Sequence, residues 1–168
     1  MKLQQFKRKT DNQRQELVDF LKKLDDIVPE EMPQLVAEED AKMWKETDCL
    51  SCANCCKKMT PTFTKEDVHR ISAHLGMTAH AFRKKWLYKE KDCAGDWMNT
   101  SIPCQFLGTD NKCSIYEVRP LDCAEFPHHH KQPFDSYNDT FTQNLSYCPA
   151  TYNLVQRLKK RVEKEYEW

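Results

Sequence analysis

The sequence predicts a mainly α-helical fold: an irregular, metal-stapled domain with one small β-hairpin and flanking N- and C-terminal helices. Three observations carry this expectation. Apolar residues recur at steps of three and four near both ends of the chain, the period of a helix with one buried face. Nine cysteines lie in a 168-residue chain, four of them within the eight residues Cys49-Leu50-Ser51-Cys52-Ala53-Asn54-Cys55-Cys56. Between the helical ends, Gly108-Thr109-Asp110-Asn111 separates two short runs, Cys104–Leu107 and Lys112–Tyr116, as a four-residue turn separates the arms of a hairpin.

From Asp11 onward, Leu17, Phe20, Leu21, Leu24 and Val28 form an amphipathic stripe that ends near Pro29. Pro33 suits the first turn of a second helix, which carries Leu35, Val36, Met43 and Trp44 toward the cysteines. After the cysteine run, Thr64 with Asp67 three residues on approximates a capping box. Val68, Ile71 and Leu75 give that helix its apolar face, and Gly76 ends it. Thr78 caps a further short helix with Phe82 and Trp86 four apart. The expected hairpin brings Cys104 and Cys113 to neighbouring strand ends, and Pro120 opens a short helical turn leading to Cys123. From Phe126 to Tyr147 the chain is polar and reads as a long loop, with Cys148 as its candidate pin. The last helix places Leu154, Val155, Leu158 and Val162 on one face. The organisation this suggests is an N-terminal helical extension over residues 1–46 and a cysteine-cluster domain, with its C-terminal helix, over 47–168.

Composition narrows the function classes. At 39% hydrophobic and 31% charged the chain is globular. Its 26 Lys and Arg balance 26 Asp and Glu, so no basic surplus argues for nucleic acid as a partner. The basic start, Met1-Lys2-Leu3-Gln4-Gln5-Phe6-Lys7-Arg8-Lys9, lacks the apolar run of a signal peptide, and nothing approaches the ~20 apolar residues of a membrane span. The expected compartment is the reducing cytoplasm, where clustered cysteines serve metals more often than disulfides. With three glycines, Gly76, Gly95 and Gly108, neither a P-loop, a dinucleotide turn nor a nucleophile elbow can be written. Any catalysis would have to use the cysteine-bound centre itself.

Thiolates are soft ligands that favour Zn²⁺ and iron–sulfur centres over Mg²⁺ or Ca²⁺. Two overlapping C-x-x-C steps bring sulfurs to metal-bonding spacing. Neighbouring side chains point apart on strands and helices, so Cys55 and Cys56 are expected to serve different metals or different atoms of one polynuclear centre. Eight cysteines, Cys49, Cys52, Cys55, Cys56, Cys104, Cys113, Cys123 and Cys148, would fill two four-thiolate sites. Cys93 is left over as a buried spectator thiol. The triplet Cys49, Cys52, Cys55 matches the opening of a bacterial ferredoxin run, which favours iron–sulfur; a C-x-x-C with a distant pair favours zinc. Reduced or disulfide-bonded cysteines without metal are the alternative. Lys57, Lys58, Lys112 and Arg119 are candidates for offsetting thiolate charge, or for a solvated surface. His128-His129-His130 is a candidate metal-binding triplet, although such a loop triplet is more often simply exposed. Asp96, Asp110, Asp122 and Glu125 lie near cysteines, and nothing in their spacing singles out an acid–base pair.

Taken together, C-x-x-C-x-x-C-C, a C-x-F-L turn, the block Cys113–Pro127 (CSIYEVRPLDCAEFP) and a late Cys148-Pro149 resemble the YkgJ-like cysteine-cluster family, described as zinc- or iron-chelating domains. The resemblance covers Cys49 to Pro149 and leaves the two N-terminal helices outside it. Ala53 stands where a glycine is common and Ala124 where an arginine is common. What the resemblance implies is metal chelation through these cysteines, without a defined reaction. The expectation is therefore a metal-binding protein holding zinc or iron, with a metal ion as its partner and its protein partner unknown. A redox or enzymatic iron–sulfur protein is the alternative, and a thiol redox sensor built on Cys55 and Cys56 a third reading.

Overall fold

The computed structural model describes residues 3–89 and 95–166; the Cys93 assignment lies outside them. In chain order its elements are α1 (Leu3–Asp26), α2 (Met32–Trp44), α3 (Cys49–Cys52), α4 (Asn54–Lys58), β1 (Thr62–Phe63), α5 (Lys65–His74), α6 (Ala79–Trp86), β2 (Leu87–Tyr88), β3 (Trp97–Asn99), α7 (Leu121–Glu125), α8 (Asn138–Asn144) and α9 (Pro149–Glu165). Single 3-10 turns cover Tyr116–Val118 and Asp135–Tyr137. The fold is mainly α with one small antiparallel sheet. It divides into two compact units, one made of residues up to Cys49 with those from Pro127 on, the other Leu50–Phe126. No helix among the described residues is long and apolar enough to cross a membrane.

The first unit is a helical assembly of α1, α2, α8 and α9. Its core takes Leu17, Leu21 and Leu24 from α1, Leu35 and Val36 from α2, Phe141 from α8, and Tyr152, Leu154, Val155, Leu158 and Val162 from α9. The predicted stripes at both ends are thus buried, and they pack against each other, α9 lying on both α1 and α2. The first helix starts earlier than Asp11 and stops at Asp26, leaving Val28 exposed. Pro33 sits in the first turn of α2 as expected.

The stretch from Phe126 to Tyr147 is irregular only as far as Phe134; a 3-10 turn and α8 follow, so the expected loop covers its first part alone. Phe134, Phe141 and Leu145 are buried, with the Phe134 and Phe141 rings stacked at 4.4 Å. Asn138 donates to the Leu21 carbonyl and to Asp25. A short helix needs only a few buried anchors when tertiary packing supplies its stability, so polar composition hid it. Cys148 occupies the N-cap position of α9, and it is the aromatic anchors, with Leu145, that hold the segment in the core.

The second unit packs Phe63, Val68, Ile71, Phe82, Leu87, Phe106 and Ile115 into a small core. The Phe82 and Phe106 rings stack at 6.3 Å, and Trp86 meets both edge-on. Thr64 and Asp67 form the predicted capping box of α5, Gly76 adopts the left-handed conformation beyond its end, and Thr78 caps α6. The sheet runs β1-β3-β2, all antiparallel, with Phe63 opposite Trp97 and Leu87 opposite Asn99. Its strands are too short to show alternation in sequence, and they come from segments the sequence left unassigned. The expected hairpin at Cys104–Tyr116 shrinks to a tight turn with one antiparallel bridge, Leu107 to Cys113. Backbone amides there turn back on nearby carbonyls and sulfurs instead of extending a ladder.

Candidate metal centre

Five cysteines of the second unit are the candidate ligands: Cys55 and Cys56 on α4, Cys104 and Cys113 at the two ends of the tight turn, and Cys123 on α7. Backbone hydrogen bonds position Cys56, Cys104 and Cys113. The Cys104 N–H donates to the Cys56 carbonyl at 2.9 Å, tying the turn to α4. The Ser114 N–H donates to the Phe106 carbonyl at 2.8 Å and Gly108 N–H to the Lys112 carbonyl at 2.7 Å, closing the turn between the two cysteines. Cys104 and Cys113 then begin equivalent turns. The N–H two residues on, Phe106 or Ile115, bonds the cysteine sulfur. The N–H three residues on, Leu107 or Tyr116, bonds the cysteine carbonyl. Such N–H···S bonds favour the thiolate form and orient it.

Cys55 and Cys56 do not point apart. Their sulfurs are 3.9 Å apart, because rotamers on the five-residue helix α4 turn toward each other. That spacing matches the edge of a tetrahedron of sulfurs about 2.3 Å from a central zinc, which is roughly 3.8 Å. The two side chains thus lie closer together than the sequence expectation of neighbours pointing apart. Donation by the Cys55 thiol, with help from the backbone and the charge of Lys57, draws the Cys56 thiol down to about 7 against the effect of burial.

The remaining thiols are held up. Burial raises Cys104 and Cys113, and the negative charge of Cys56 adds to both, while Arg119 works against the rise at Cys113. Cys123 lies well above the ordinary thiol range, first through burial, then through Asp122 and the charges of Cys56, Cys104 and Cys113. These mutual effects place the four sulfurs in one another's electrostatic reach. A site that penalises several neighbouring thiolates is one where a cation would be strongly favoured, since a bound metal ion reverses the sign of the local field. The donor set fits a soft cation. Among the described residues, however, no three His, Cys, Asp or Glu groups are drawn tightly enough together to form a closed cage.

The other assigned residues divide clearly. Cys52 ends α3 in the same unit, half-buried. Cys49 is exposed and Cys148 buried, and both fall in the helical unit. None of the eight described cysteines is disulfide-bonded. Of the proposed cationic neighbours, Lys57 and Arg119 act on the site sulfurs, whereas Lys112 faces Asp110 at 3.9 Å. Asp122 spends a carboxylate oxygen on the Thr62 N–H at 2.9 Å. The histidine triplet is not uniformly exposed. His130 is open, but His129 is buried in the helical unit between Asp40 and Thr151.

Sequence reasoning missed Asn99, a buried side chain of β3 that bonds the Cys104 sulfur and is itself held by Gln105 at 2.8 Å. It also missed the amides of Phe106 and Ile115. Their signal was present: Cys104-Gln105-Phe106-Leu107 and Cys113-Ser114-Ile115-Tyr116 share one pattern, a cysteine, a polar residue and two apolar ones.

Partly buried thiols with backbone amides on their sulfurs are a donor set that suits a soft metal ion. The chain belongs to the CxxCxxCC family, described as a "putative zinc- or iron-chelating domain", which it matches over residues 48–149. It is also similar to an uncharacterized protein of Methanocaldococcus jannaschii, 32% identical over 81 residues that make up 48% of this chain and 43% of that protein. The chain thus matches less than half the length of that relative. No solved structure matches this chain.

Proposed function

We propose that this protein binds a zinc or iron ion through Cys56, Cys104, Cys113 and Cys123, with Cys55 as a fifth thiol beside them. Cys49, Cys52 and Cys148 complete the eight-cysteine set read from sequence. One observation carries the reading: four sulfurs from three separate chain segments lie within one electrostatic neighbourhood, two of them with N–H···S donors. Thiolates of this kind bind zinc in four-coordinate sites and iron in mononuclear or cluster form. This chain's own residues supply the ligands, direct them through the Phe106, Ile115 and Asn99 donors, and offset their charge with Lys57 and Arg119.

A second reading has its own support. Five thiols are one more than a tetrahedral ion takes, which favours a polynuclear iron–sulfur centre with a redox or enzymatic role. Elemental analysis with acid-labile sulfide and visible absorption, on protein purified without oxygen or a nickel column, separates the two. Colourless protein with zinc supports the first, and iron with matching sulfide supports the second. Replacing Cys113 or Cys123 with serine is expected to lower the metal content in either case. Undiminished metal in both variants would overturn the ligand assignment.

A further inference from the structure

Resting on that reading, we propose that Asp67 is the positioning residue for the Cys123 ligand. Its side chain is 1% exposed and lies on α5, more than fifty residues from Cys123 in sequence. One carboxylate oxygen accepts from the Thr64 N–H at 3.0 Å, completing the cap of α5. The other accepts from the Leu121 N–H at 3.1 Å, at the first position of α7. Arg70 donates to that same oxygen and also to the Arg119 carbonyl at 2.8 Å. A buried carboxylate and its guanidinium partner therefore grip the chain on both sides of Pro120.

That grip acts on a helix of five residues, Leu121–Glu125, which has no side-chain cap of its own. A helix this short does not hold its orientation alone. Cys123 sits two residues past the gripped amide, so a shift of α7 moves its sulfur directly. The Asp122 carboxylate on the Thr62 N–H secures the same turn against β1. Groups that orient a ligand without touching the metal usually matter for affinity: their loss costs about 10–100-fold. A capping aspartate alone would not, since a lost N-cap interaction costs about 1 kcal/mol of stability and leaves a distant site unchanged.

Cobalt(II) serves as the probe, titrated anaerobically into the full-length reduced chain. Affinity and thiolate-to-metal charge-transfer absorption are the readouts. Asp67→Asn is expected to weaken Co²⁺ binding by about tenfold or more and to reduce the charge-transfer band. Thr64→Ala removes the other half of the same cap and leaves the Leu121 contact intact, so it should stay close to wild type in affinity. Leu121→Pro deletes the donor itself at a helix position where proline is tolerated, on a residue that is 52% exposed. It should weaken binding in the same direction, which keeps the test sound even if the Asp67 variant folds poorly. In a Cys123→Ala background, Asp67→Asn should cost nothing further. Equal losses in the Asp67 and Thr64 variants, wild-type affinity in Leu121→Pro, or a full loss persisting without Cys123 would each overturn the assignment. Absence of Co²⁺ binding by the wild-type chain would instead sink the metal-site reading on which it stands.

Discussion

Lowering the pH should destabilise the helical unit through one buried histidine. His129 is 1% exposed, with Nδ1 2.7 Å from an Asp40 carboxylate oxygen and Nε2 3.0 Å from the Thr151 hydroxyl. A carboxylate only accepts, so Nδ1 carries the proton and Nε2 accepts from Thr151. In this neutral form both ring nitrogens are satisfied. Burial lowers the affinity of the ring for a second proton, and His128 and His130 act in the same direction, outweighing the opposing pull of Asp40. His129 therefore titrates below the ~6.5 of an unfolded chain. Above that value both states are neutral and the full stability is present. As the pH falls below it, the unfolded chain takes up a proton that the folded one refuses. Stability drops by up to about 1.4 kcal/mol per pH unit, until the folded value is passed. Urea unfolding of the full chain, followed by circular dichroism from pH 8 to 5, measures this slope. His129→Gln removes the titrating group while keeping a hydrogen-bonding side chain. Its stability at pH 8 should be lower, by about 1–3 kcal/mol for a disturbed buried pair, and its fall with acid shallower than that of wild type. Parallel pH profiles for the two proteins, or a wild type that gains stability on acidification, would refute the reasoning.

Two further outcomes are expected. Ala53 precedes α4 at φ 46° and ψ 21°, a left-handed conformation costing a non-glycine residue about 1–2 kcal/mol, so Ala53→Gly should lie within about 1 kcal/mol of wild type despite the lost methyl group. Ala53→Val should be less stable than the glycine variant by at least about 1 kcal/mol in denaturant unfolding, because a branched side chain tolerates that conformation least; a valine variant as stable as the glycine one would count against the strain. Stripping metal with a chelator should expose the turn around Cys104–Cys123 to limited proteolysis while α1 and α9 stay protected, since the helical unit has its own apolar core. Unchanged cleavage of that turn would remove metal-coupled folding from the reading.

Much of this protein is legible in one dimension because its determinants are local. The helix stripes of α1 and α9, the Thr64–Asp67 cap, Pro33 at the start of α2 and the Gly76 stop depend on residues within a few positions of one another. The spacing of the cysteine run points to soft-metal ligation, and the CSIYEVRPLDCAEFP block adds a resemblance to the family to which the chain belongs.

What the sequence could not yield depends on contacts between distant segments. Helix α8 carries one apolar residue, Phe141, among polar ones, and it exists because Phe134, Phe141 and Leu145 find a core built from α1 and α9. The sheet consists of strands of two or three residues, too short for any periodicity, and is fixed by pairing across tens of residues. His129 looked like part of an exposed triplet until Asp40 and Thr151 closed around it. The cysteines were all visible beforehand, but which ones share a neighbourhood was not. That was decided by the Cys104 amide on the Cys56 carbonyl, by rotamers that bring Cys55 and Cys56 to 3.9 Å, and by Asp67 gripping the first turn of α7. Residue types and spacings set the chemistry of this protein; hydrogen bonds to buried carboxylates and carbonyls, which only a folded chain can form, set which atoms perform it.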